Sequence, residues 1–216
     1  MALTVYLHPL ASFCQKVLIA LYENEIPFES RTVDLMDQAD AAHYKNMWPV
    51  GKMPLLRDDA RDRTVPETSI IIEYLARHYP GRTPLLPADP DLALQTRLWD
   101  RFYDLYVQDP MQKIVVDRIR PPGTSDAHGV AEAKGKLQIA YGMIEEQMAT
   151  RTWAIGEDFT MADCAAAPAL FYAELVAPFG DAHPKTAAYL ERLRKRPSFA
   201  RVVEEAKPYF HMFPRG

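Results

Sequence analysis

Apolar residues recur along this chain in two rhythms, and the change from one to the other marks its elements. Leu3 to Leu7 (LTVYL) forms a short apolar block cut off by His8-Pro9, which predicts a buried strand. From Phe13 the apolar positions recur at Val17 and Leu21, with Leu18 beside them, the spacing of a helix. Phe28 to Leu35 (FESRTVDL) alternates and predicts a second strand, and Met36 to Trp48 is polar and weakly periodic, read as loop and short helix. Leu55-Leu56 enters a sheet, Arg57 to Arg63 is a charged hairpin turn, and Thr64-Val65 is a further strand. Pro66-Glu67-Thr68-Ser69 then opens a helix whose face is Ile70, Ile71, Tyr74 and Leu75, because proline and hydroxyl residues suit a helix start.

Tyr79 to Pro90 (YPGRTPLLPADP) is rich in proline and reads as a linker. Beyond it the periodicity is helical throughout: Asp91–Val107, Val130–Met148, Phe159–Ala173, Thr186–Lys195 and Phe199–Ala206. The order βαβ, then ββα, then helices predicts a small mixed α/β domain over 1–79, a linker over 80–90 and an all-helical domain over 91–216.

Composition narrows the function classes. A net charge of −4 over 216 residues offers no basic surface for phosphates, so nucleic acid is not an expected partner. No apolar run reaches the roughly 20 residues of a membrane span, and the first residues do not resemble a secretory leader, so a cytoplasmic location is expected. The two cysteines, Cys14 and Cys164, lie far apart and make no disulfide framework. The six histidines show no ligand spacing, and no metal is expected.

The chemistry-bearing stretches are few. In "HPLASFCQKVLIAL" a proline turn runs into a helix with Cys14 in its first turn, but Ala11 stands where a Cys-x-x-Cys pair needs its attacking thiol. Ser12 offers a hydroxyl at the same helix mouth, either as a helix cap or as a donor to a ligand. In "WPVGKMPLLRD" Pro54 precedes two strand residues, a place that suits a strand's first position and a cis turn. "FTMADC" carries the capping-box spacing Thr160-x-x-Asp163, with Phe159 and Cys164 at the staple positions, and is assigned to folding.

In these features the chain resembles the cytosolic glutathione S-transferase family, bacterial type. Met53-Pro54-Leu55 after Gly51-Lys52 matches the family's cis-proline turn, Glu67-Thr68 its third-helix start, the linker its domain junction, and Phe159 to Pro168 its C-terminal capping box. The resemblance covers the whole chain. It implies a thioredoxin-like N-terminal domain, glutathione as co-substrate, no metal, and a homodimer. It also implies detoxifying transfer of glutathione to a small apolar electrophile. Met53 is then a backbone ligand beside Pro54, pairing with glutathione as an added strand does. Thr68 and the free N–H groups of its helix suit a carboxylate, Glu67 an ammonium, Lys52 the glycyl carboxylate, and Ser69 adds a hydroxyl.

Ionising the thiol is the chemical task. Lowering a thiol pKa of about 8.5 by one to two units takes roughly 1.4–2.8 kcal/mol. One hydrogen bond to a charged group supplies about 1.5–3 kcal/mol, and a helix N-terminus roughly 0.3–1 kcal/mol more. Tyr6 lies one residue before the position of the family's tyrosine, which is Leu7 here, and a one-residue slip turns it to the other face. Ala11 lacks the group found there in the thiol classes and several serine classes. The family's bacterial beta-like classes place a cysteine one residue later, at the position of Ser12, so the resemblance makes Ser12 the expected activator, with His8 a weaker second. The electrophile side is expected from Tyr103 and Tyr106, with Trp99 and Met111 on the same face, and from Phe210, with Tyr209 and Phe213, in a tail able to fold back as a lid. Two alternatives stay open on the same scaffold: a glutathione-dependent isomerase, dehalogenase or peroxidase, and a binding or protein-interaction module without catalysis.

Overall fold

The computed structural model describes residues 3–214. Four strands, β1 (Leu3–Leu7), β2 (Glu29–Thr32), β3 (Leu55–Asp58) and β4 (Arg63–Pro66), form one sheet in the order β2-β1-β3-β4. β1 and β2 run parallel, joined through helix α1 (Ser12–Glu23), while β3 pairs antiparallel with both β1 and β4. With α2 (Gln38–Met47) and α3 (Thr68–His78) this is the small mixed α/β domain that the pattern predicts and the thioredoxin-like half that the resemblance implies. The second half is helical: α4 (Pro90–Phe102), α5 (Asp109–Arg118), α6 (Ala127–Gln147), α7 (Met161–Val176), α8 (Pro184–Arg194) and α9 (Pro197–Ala206).

β1 buries Leu3, Val5 and Leu7 on one face, while Tyr6 packs on the other with Val33, Tyr44 and Leu55. That alternation is the pleat itself, and it keeps Tyr6 off the α1 side of the sheet. Helix α1 is buried from Cys14 through Leu21 without interruption, because the sheet lies on one side of it and α7 and α9 on the other. A helix enclosed on all sides has no polar face to read, which is why Gln15 and Lys16 look like surface residues in the sequence and are not.

Two expectations need correction. β2 is an edge strand of only four residues, all exposed, so its apparent alternation reflects no core face. The helix expected to end at Val107 continues through a π-helical segment, Tyr103–Gln108, into α5. Pro110, which lacks a backbone N–H, stands in the first turn of α5 directly after the π-helical segment. The wider π turn also shifts the helical phase, so Tyr103 points into the core, fully buried, while Tyr106 is 56% exposed.

Candidate active site

A cavity of about 640 Å³ opens between the start of α1, the loop after β2, α5, α7 and the C-terminal tail. That volume is in the range of small-molecule sites. His8, Ala11 and Ser12 form its wall at the β1–α1 turn, with Met53 beside them, while Met111, Tyr172, Tyr209, Met212 and Phe213 line the helical side. The tail folds back as a 3₁₀ turn, Lys207–Met212, held by stacking of Phe210 and Phe213 on Tyr172 and by Arg118, whose Nη1 donates to the Pro214 carbonyl at 3.0 Å.

The β1–α1 turn is fixed from both halves of the chain. Gln15 Nε2 donates to the Pro9 carbonyl at 2.9 Å and to Tyr172 Oη at 3.0 Å, and Tyr172 Oη in turn donates to the Leu10 carbonyl at 2.8 Å. Ala11, not Ser12, is the N-cap of α1, and no side chain caps this helix. Ser12 is the first helical residue, 8% exposed, and its hydroxyl makes no hydrogen bond among the described residues. The capping role considered for Ser12 is therefore not the one it occupies. A free hydroxyl and the open positive end of α1 face the same space.

Opposite, the Met53–Pro54 bond is cis and Pro54 is buried. Neither the N–H nor the C=O of Met53 is paired among the described residues. Tyr44 holds the strand entry, its hydroxyl donating to the Lys52 carbonyl at 2.8 Å. At the head of α3, Glu67 is exposed and adopts φ 68°, a left-handed conformation that costs a side-chain-bearing residue about 1–3 kcal/mol. Strain of that kind concentrates at functional sites, and Glu67 makes no cap bond that would otherwise explain it. Thr68 follows it, buried, as the first residue of the helix.

The structure thus brings Ser12 and Met53 to one cavity, with Lys52 and Pro54 adjoining and Glu67-Thr68 outside its lining. Four expected site residues lie elsewhere. Ser69 turns to the helical half, donating to Asp100 Oδ2 at 2.5 Å and accepting from Lys16 Nζ at 3.1 Å. Tyr103 is core, Tyr106 is at the surface, and Phe210 packs behind the cavity on Phe171 and Tyr172. Their places are taken by Met111, Tyr209, Met212 and Phe213. Cys14 is fully buried, and burial pushes its thiol up to about 12. Such a thiol has almost no thiolate at neutral pH and cannot serve as a nucleophile.

Residues 6–83 match the family model for the glutathione S-transferase N-terminal domain, and residues 107–197 the model for the glutathione S-transferase C-terminal domain. A glutathione S-transferase of Methylobacterium radiotolerans, solved in complex with glutathione sulfonate, is 30% identical with a TM-score of 0.81, over 94% of this chain and 95% of that one. The chain belongs to the glutathione S-transferase family. Among curated members, glutathione S-transferase GstB of Escherichia coli strain K12 is 26% identical over 88% of this chain and 91% of its own. Poplar glutathione transferase F1 shares the fold with a TM-score of 0.84 at 21% identity, over 96% of this chain and 99% of that one. As a glutathione S-transferase the chain is glutathione-related in function. Among the described residues no helix is long and apolar enough to cross a membrane.

Two residues of the site were not legible from residue patterns. Gln15 and Tyr172 act only through tertiary contact, and a buried glutamine inside an apolar helical stripe was the one available signal. His8, the weaker second candidate from the sequence, does line the cavity.

Proposed function

We propose that this glutathione S-transferase transfers the glutathione thiolate to an apolar electrophile, with Ser12 as the thiolate's hydrogen-bond donor. The observation that carries the reading is the unpaired Ser12 hydroxyl at the open end of α1, in the same cavity as the unpaired backbone of Met53. A sulfur lying between them would receive one hydrogen bond worth about 1.5–3 kcal/mol. The helix end would add roughly 0.3–1 kcal/mol, together enough for a pKa drop of one to two units. Met53 beside cis-Pro54 would pair with the cysteinyl backbone. Thr68 with its helix N–H groups would hold the γ-glutamyl carboxylate, Glu67 the ammonium, and Lys52 the glycyl carboxylate. The complex of the Methylobacterium radiotolerans relative with glutathione sulfonate supports glutathione as the co-substrate.

The methionines and aromatics of the helical wall suit an apolar electrophile, since thioethers adapt to varied shapes. A cytoplasmic homodimer completes the proposal. Leu94 and Leu98 on α4, with Leu105 and Ile70, leave apolar side chains in water that a second copy would cover. The buried Cys14 and the absence of a thiol at Ala11 disfavour disulfide chemistry over conjugation.

Glutathione-resin retention together with a conjugation assay on the wild type and Ser12→Ala tests the reading. The expected result is retention of both proteins and at least a tenfold loss of turnover in the variant, about the worth of one hydrogen bond to a charge. Unchanged turnover removes Ser12 from the role, and retention without any turnover replaces transfer by binding alone.

A further inference from the structure

His8 is the titratable group that the reading above leaves unused. It lines the same cavity as Ser12, four residues earlier in the wall. The Leu10 backbone N–H donates to His8 Nδ1 at 3.2 Å. An acceptor at Nδ1 places the ring proton on Nε2, so the imidazole offers one distal N–H donor. That nitrogen has no hydrogen-bond partner among the described residues, and it is not sealed in the core. The ring is fixed edge-on to Tyr209, centroids 5.0 Å apart and 72° between planes. His8 therefore stands where the turn that presents Ser12 meets the tail that walls the electrophile side.

The surroundings favour the neutral ring. Burial lowers the His8 pKa below the ordinary 6.5, against a smaller upward pull from Asp34. Asp34, Tyr172 and Tyr209 are the other titratable side chains lining the cavity among the described residues, and no lysine, arginine or glutamate joins them. A doubly protonated ring would also turn an N–H toward the Leu10 N–H and lose that bond.

We propose that His8 is a further catalytic residue of the cavity, donating its Nε2–H to the electrophile atom on which negative charge develops. The proposal rests on the transfer reading above. It selects electrophiles whose attack places charge on an oxygen, the carbonyl-conjugated alkenes above all. In such an addition the thiolate sulfur forms a bond to the β-carbon. The alkene π pair moves to the α-carbon–carbonyl bond, and the carbonyl pair to oxygen, giving an enolate. His8 stabilises that oxygen by hydrogen bonding and remains neutral. A proton from water, equal to the one released when the thiol ionised, then reaches the α-carbon.

His8→Asn tests this, since a side-chain oxygen still accepts from the N–H two residues on while the distal N–H is gone. The probes are 4-phenyl-3-buten-2-one, which forms an enolate, and benzyl chloride, which does not. The variant should lose roughly 10- to 100-fold in kcat/KM on the ketone, the worth of one hydrogen bond to a charge, and no more than about twofold on the chloride. His8→Gln, with a donor near the position of Nε2, should recover most of the ketone rate, and glutathione affinity should be unchanged in both variants. An equal loss on both probes, or no loss on the ketone, overturns the proposal while leaving the transferase intact. A wild type that turns over neither probe with glutathione overturns the transfer reading and this proposal with it.

Discussion

Lys16 of α1 meets Asp100 of α4 at 2.8 Å, with each side chain 1% exposed, so a buried ion pair joins the two halves of the chain behind the candidate site. Asp104 adds a second carboxylate at 2.8 Å from the same ammonium, and Ser69 bridges Lys16 to Asp100. Such a cluster adds little net stability when intact, because desolvation offsets attraction, but it is costly to break.

Lys16→Met should therefore destabilise the protein by about 3–5 kcal/mol, since it leaves Asp100 buried without its cation and Asp104 with only Arg101, at 3.5 Å. Burial already raises the Asp104 pKa, with Lys16 pulling it down and Asp100 pushing it up. Without Lys16 it rises further, so the variant can take up a proton where the wild type does not. Urea unfolding should show a smaller loss at pH 5 than at pH 8. An equal loss at both pH values would mean that packing of the lysine stem, not charge, sets the cost.

Asp163 shows how a legible motif can understate its residue. The capping box over Thr160 and Asp163 is present as the spacing predicts, with Asp163 Oδ2 accepting from the Thr160 N–H at 2.8 Å. The cap alone is worth on the order of 1 kcal/mol. But Asp163 is fully buried, and its Oδ1 also accepts from Tyr189 Oη at 2.6 Å and from the Ala154 N–H at 2.8 Å. It ties α7 to α8 and to the loop after α6. Asp163→Ala should then cost about 3–5 kcal/mol, well above the cap value, and Tyr189→Phe about 1–3 kcal/mol. Loss near 1 kcal/mol for Asp163→Ala in thermal or urea unfolding would show that the tertiary bonds add nothing.

The same contrast runs through the chain. Elements whose burial follows a local period were readable: β1, α3 and the helices from α6 to α9 stand within a few residues of their apolar patterns, although the buried face of α3 holds Ile72 in place of the expected Ile70, which is 55% exposed. Met53-Pro54 and Glu67-Thr68 were readable because a proline before a strand and hydroxyl or acidic residues before a helix each have a local physical cause. What depended on partners far along the chain was not. Lys16 looks solvated until α4 is placed against it, and Tyr106 looks like a pocket residue until the π segment turns it outward. Ser69 belongs to neither the cap nor the cavity for the same reason.

Cys14 and Cys164 give a direct test of the packing around α1. Both are fully buried, and burial raises both thiols, Cys14 to about 12. A thiol reagent at pH 8 should label neither in the native protein and both after denaturation. Rapid labelling of one thiol in the native state would mean that the α1–α7 contact opens, and would return Cys14 to consideration as a redox residue.

The ionisation of His8 can be read without any substrate. Its pKa is held below 6.5 by burial, while the Asp34 carboxylate works in the opposite direction. Removing that charge in Asp34→Asn should lower the His8 pKa further, followed by the imidazole carbon-bound proton shifts across pH 4–8. Nitrogen shifts should show the proton on Nε2, as the Leu10 N–H bond to Nδ1 requires. The linkage sign follows from the lowered value. Below 6.5 the unfolded chain binds the proton more readily than the folded one, so the part of stability owed to neutral His8 is complete above that pH and declines as pH falls. In His8→Asn this acid-side decline should shrink. A proton on Nδ1 of the neutral ring would remove the distal donor on which its catalytic role depends, and a His8 pKa above 6.5 would overturn the neutral ring.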